Sequence, residues 1–125
     1  LTFITCGGMV LSVDEAAEKL QQKGIDAEII DLRSLAPLDK ETILNSVAKT
    51  KRAMIVDEGP IIGGLTAELA AMIQENLFSD LKAPVIRIGA AFIPPPHSGP
   101  LVEAMVPSVE RIIAAALSLL EQRTP

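Results

Sequence analysis

The residues with the most chemical capacity gather at a few places in the chain. Asp57-Glu58-Gly59 sets two adjacent carboxylates directly behind an apolar run. At a strand's carboxyl end such a pair is placed for acid–base work or for holding a cation, because open α/β sheets collect ligands outside those ends. Neighbours along a strand or turn often point apart, so a subunit contact or a helix-capping role is the preferred reading. His97, the single histidine, has the one side chain whose unperturbed pKa falls near neutrality. Ser98 is adjacent to it, but adjacency does not make a dyad, and a catalytic assignment needs geometry. A rigid proline loop can present His97 to a partner chain or hold it against the domain's own surface.

Gly7-Gly8 invites a phosphate-binding reading. A dinucleotide fingerprint needs three glycines at fixed offsets, and a P-loop needs Gly-Lys followed by Ser or Thr. Neither is present, so a tight strand-to-helix turn suffices. Asp31, Arg33 and Asp39 suit a surface charge network of small energetic weight. Cys6 is the only cysteine, which excludes an internal disulfide and a zinc site built on paired thiolates. In a strand it serves as a small hydrophobe.

The elements that position these groups follow from patterning. Leu1 to Cys6 reads as a first strand. Ser12-Val13-Asp14-Glu15 offers a capping box, with Val13, Ala16, Ala17 and Leu20 at helical spacing and Lys23-Gly24 as the stop. Ala27 to Leu32 is the second strand. Asp39 caps a second helix whose buried stripe is Ile43, Leu44, Val47 and Ala48. Ala53 to Val56 is almost wholly apolar, as expected of a strand covered on both faces. Gly59-Pro60 and Gly63-Gly64 bracket a turn, and a third helix follows with Leu65, Leu69, Met72, Ile73 and Leu77 on or near one face. Pro84 introduces a fourth strand, Val85 to Ile88. Residues 89–100 form a long irregular stretch with few free amides. The last helix follows Pro107, with Val109, Ile112, Ile113, Ala116, Leu117 and Leu120 facing inward. Strand and helix alternate four times, which predicts a three-layer α/β fold with a mainly parallel sheet and helices on both faces.

Composition narrows the function classes. At 125 residues and 49% hydrophobic content, the chain suits one folded domain. Sixteen acidic residues against 11 basic ones leave a net charge of −5, which argues against a general nucleic-acid-binding surface. With no Trp or Tyr, stacking platforms for single strands are poorly supported. No apolar run reaches the roughly 20 residues that span a bilayer. The chain opens directly on a strand, so it reads as a domain cut from a longer protein, with no targeting segment in view.

Ile30-Asp31-Leu32-Arg33-Ser34-Leu35-Ala36-Pro37-Leu38-Asp39 resembles the "IDLRTLxPLD" segment of the carboxyl-terminal domain of the transketolase superfamily. Thr42-Ile43-Leu44, Ser46-Val47, Lys49-Thr50 and Val56-Asp57-Glu58 continue the resemblance. Leu101, Glu103-Ala104 and Pro107 to Ile112 are similar to the tail of the E1 beta subunit of 2-oxo acid dehydrogenase complexes. The resemblance covers nearly the whole chain. It implies a parent heterotetramer of alpha and beta chains that uses thiamine diphosphate and magnesium to decarboxylate a 2-oxo acid (pyruvate, a branched-chain acid or acetoin) and acylate lipoyl groups. This segment would then organise subunits and help dock the subunit-binding domain of E2, with no cofactor or catalytic residue of its own. Its partners would be an E1 alpha subunit, a second E1 beta subunit and E2. Asp57, Glu58, Phe92, His97, Glu110, Glu121 and the terminal segment are the expected interface residues.

There are departures from the pattern. Ala90-Ala91-Phe92-Ile93-Pro94 stands where these beta chains commonly show a Gly-Pro-Asp-Thr-Pro-like stretch, so Phe92 replaces an acidic residue. His97 stands at the position of the proline loop's aromatic residue. If that aspartate contributes to docking, this protein docks less electrostatically. Ile61-Ile62-Gly63-Gly64-Leu65 also resembles transketolases and their split carboxyl-terminal subunits, which keeps transketolase or deoxyxylulose-phosphate synthase as an alternative parent. An independent, non-catalytic binding module is the third reading. An E1 beta protein would be cytoplasmic in a prokaryote and in the mitochondrial matrix of a eukaryote.

Overall fold

A computed structural model describes residues 1–122. The strands are β1 (Thr2–Thr5), β2 (Glu28–Asp31), β3 (Ala53–Pro60) and β4 (Ile86–Ala90). The helices are α1 (Met9–Gln21), α2 (Lys40–Thr50), α3 (Leu65–Leu77), α4 (Gly99–Met105) and α5 (Val109–Glu121). The sheet runs β2-β1-β3-β4 with every neighbour parallel, so the expected three-layer α/β fold is observed.

β1 and the first half of β3, the two central strands, are buried on both faces because helices cover both. Phe3, Met54 and Val56 pack with Met9, Val13, Ala16 and Leu20 of α1 and Ile112, Ala116 and Leu119 of α5. Ile4, Ala53 and Ile55, on the opposite side of the pleat, pack with Ile43 and Val47 of α2 and Leu69, Met72 and Ile73 of α3. The chain winds outward from β1 to β2 and, after α2, outward the other way from β3 to β4. β1 and β3 therefore flank the switch point where open α/β sheets form a crevice.

At the amino ends of the strands, Thr2 Oγ1 lies 2.8 Å from both Ser46 Oγ and Thr50 Oγ1 of α2. Ser46 Oγ donates to Glu28, which also pairs with Lys49. Those two bonds hold the Glu28 carboxyl below its ordinary range. The network ties α2 to the edge strand without leaving these hydroxyls unpaired in the interior.

Several local expectations shift. α1 begins at Met9, not behind Ser12, and Gly8 caps it with no side-chain bond. A capping box is worth about 1 kcal/mol, less than burying the side chain of Met9 four residues before Val13 on the same stripe. Gly7, at φ +59°, makes the abrupt turn that this early start requires. Gly24 closes the helix at φ +76°, as its position predicts. Asp39 does cap α2, its Oδ1 accepting from the Thr42 amide at 3.0 Å. It is therefore not part of the charge network, in which Arg33 pairs with Asp31.

β3 runs four residues past Val56, so Gly59-Pro60 belongs to a strand. β4 likewise extends to Ala90. The stretch placed at 89–100 then ends in the short helix α4, with Pro100 in its first turn, where a missing amide costs nothing. In α5 the deepest residues are Ile112, Ala116 and Leu119, while Leu117 and Leu120 are half-buried. Among the described residues no helix is long and apolar enough to cross a membrane.

Candidate functional site

The carboxyl ends of β1, β3 and β4 bring the sequence-selected carboxylates to one end of the sheet. Val56 pairs with Ile88 and Pro60 pairs with Ala90, so four steps along β3 match two along β4. Asp57, Glu58 and Gly59 form the resulting bulge, a device that re-aims side chains at the end of a ladder. Glycine is required opposite it. A Cβ on Gly89 would lie 2.6 Å from the Gly59 carbonyl oxygen, and one on Gly64 would overlap the carbonyl oxygen of Pro60.

The two carboxylates have different neighbours at the end of β1. Asp57 is half-buried and its Oδ1 accepts a long bond from Cys6 Sγ at 3.9 Å. Burial pushes the Cys6 thiol pKa up, and the negative charges of Asp57, Glu58 and Asp31 push it further. A thiol so placed stays protonated and is a poor nucleophile. Glu58 points instead toward the start of α1, its Oε2 lying 3.4 Å from where a Cβ on Gly8 would sit. No acidic residue lies in the first turn of α1, so Glu58 supplies negative charge at the positive end of that helix dipole.

Glu58 also borders a hollow of about 560 Å³ between the bulge and the proline loop. Its walls include Pro60, Ala90, Phe92, Ile93 and Met105. Phe92 is 69% exposed, so it sits at the rim and not in the core. His97 is exposed on the same loop but does not border the hollow. Ser98 starts α4 through its backbone carbonyl, which accepts from Leu101 and Val102, and makes no side-chain cap.

Glu110 and Glu121 lie near opposite ends of α5, about 17 Å apart by helical rise. Ser108 Oγ accepts from the Arg111 amide at 3.2 Å. Hydrogen bonds to its own amide and to Ser108 hold the Glu110 carboxyl below its usual range, so Glu110 completes the start of α5. Glu121 is exposed at the far end, where Arg52 donates to the carbonyls of Leu119 and Gln122. The terminal segment, residues 123–125, lies outside the described residues. Patterning missed the hollow because its walls come from a strand end, a loop and a seven-residue helix; the one available signal was the apolar run Phe92-Ile93 inside the proline loop.

The hollow does not fit the diphosphate and magnesium of a thiamine cofactor. Its side chains are hydrocarbon, a thioether and one carboxylate, with no Lys, Arg or His to meet the charge of a diphosphate. Among the described residues, no group of three or more His, Cys, Asp or Glu side chains is placed to hold a metal ion.

A parallel β2-β1-β3-β4 sheet, with the Asp31-to-Asp39 motif behind β2 and acidic residues at the switch point, defines an α/β domain of a known kind. Residues 1–112 match the family model for the transketolase C-terminal domain, and the chain belongs to that family. Its curated relatives include pyruvate dehydrogenase E1 component subunit beta-1, mitochondrial, of Arabidopsis thaliana. That protein is 44% identical over 93% of this chain and 32% of its own length. The E1 component subunit beta of Porphyra purpurea is 42% identical over 96% of this chain and 36% of the relative, and that of Cyanidium caldarium is 37% identical over 99% and 38%. The chain thus spans about a third of the length of these relatives. A solved split gene transketolase, described as an inactive beta4 tetramer, superposes with a TM-score of 0.77 at 27% identity. The match covers 98% of this chain and 39% of the other.

Proposed function

We propose that this segment is the subunit-assembly and E2-docking domain of a thiamine-diphosphate-dependent 2-oxo acid dehydrogenase E1 beta subunit. The observation that carries the reading is the 37–44% identity, across more than nine-tenths of the chain, to relatives named as pyruvate dehydrogenase E1 beta subunits. Residues 1–125 form a single domain of a longer polypeptide in this reading. The parent assembly decarboxylates a 2-oxo acid, pyruvate being favoured by those names over branched-chain acids, and acylates lipoyl groups. Thiamine diphosphate and magnesium are held by the neighbouring domain and the alpha chain of a heterotetramer, and no step of the decarboxylation falls to residues of this segment.

The partners are an E1 alpha subunit, a second E1 beta subunit and the subunit-binding domain of E2. An acidic surface favours encounter with a basic docking module. Asp57, Glu58, Phe92, His97, Glu110 and Glu121 are the interface candidates. In a prokaryote the assembly is cytoplasmic. In a eukaryote it is organellar, as in relatives named mitochondrial or chloroplastic.

The test uses the full polypeptide carrying this segment, co-expressed with its alpha partner. Pyruvate-dependent reduction of an artificial electron acceptor, requiring thiamine diphosphate and magnesium, is the expected result. Ketol transfer between sugar phosphates without any 2-oxo acid activity would overturn it. That outcome would favour the transketolase parent, the second reading, which the split gene transketolase neighbour supports.

A further inference from the structure

We draw no further inference here: the strongest candidate, the apolar surface of the proline loop and α4 around Phe92, Ile93, Leu101 and Val102, stands exposed on a chain that spans about a third of the length of its relatives, and nothing in the structure shows what covers it.

Discussion

Substituting Gly89 by alanine tests the close packing that shapes the end of the sheet. The added methyl would lie 2.6 Å from the Gly59 carbonyl oxygen and 3.2 Å from Ile61 Cγ1. Real Cβ contacts fall no closer than about 3.0 Å, so β3 and β4 must separate by at least about 0.4 Å where the bulge meets its partner strand. The obstructing atom is backbone, in a bulge flanked by the paired residues Val56 and Pro60, so no side-chain rotation relieves it. Overpacking of this kind costs about 1–3 kcal/mol, and a backbone obstacle puts Gly89→Ala near the upper end, about 3 kcal/mol. With a urea m-value of about 2 kcal/mol/M, the unfolding midpoint drops by about 1.5 M. Far-UV circular dichroism is the suitable probe, because the chain has no Trp or Tyr for fluorescence. Gly99→Ala is the control. Its methyl meets nothing within 4 Å at the start of α4, and it should stay within about 0.5 kcal/mol of the parent. A Gly89→Ala midpoint equal to that of the control would refute the argument that this glycine is demanded by the approach of the Gly59 carbonyl.

Three further outcomes are expected. The Cys6 thiol pKa is raised in the folded state, so the unfolded chain loses its proton first. The stability this provides is full below the unfolded value of about 8.5 and is lost as pH rises through the folded one. Urea midpoints should therefore fall on the alkaline side, less steeply in Cys6→Ala, and folded Cys6 should alkylate more slowly than free cysteine at pH 8. Thr66 is fully buried and its hydroxyl has no hydrogen-bond partner among the described residues, so Thr66→Val should be neutral or stabilise by about 1 kcal/mol in thermal unfolding; a clear loss would indicate a hidden partner. Ser108→Ala removes the cap of α5 and should cost about 1 kcal/mol, with helix-start amides 109–111 exchanging faster by mass spectrometry.

Much of the fold is legible in local pattern. Asp39 could be read as a cap because Asp before a run of helical period has one strong local use. Gly24 could be read as a stop because a left-handed residue there is cheap only for glycine. The apolar run Ala53 to Val56 announces a strand with both faces covered, since either face exposed would show polar alternation. The fold class is legible in the alternation of strand and helix, and the resemblance from Ile30 to Asp39 points to the family. Ser12 misled for a related reason: a capping pattern reports a local preference, and the burial of Met9 outweighed it.

Other features belong to the tertiary structure alone. The β2-β1-β3-β4 order follows from which strands share a helix layer, which no short window encodes. The contacts of Asp57 with Cys6 and of Glu58 with the Gly8 turn depend on a bulge two residues longer than its partner strand, visible only once β3 and β4 are paired. The hollow beside Glu58 draws its walls from residues up to 47 positions apart, Glu58 to Met105. Sequence determines residue chemistry and local conformational cost, because both act over a few bonds. Which charges are separated and which apolar surfaces are left uncovered is decided by long-range packing, where the same side chain can be core, rim or contact according to what is folded against it.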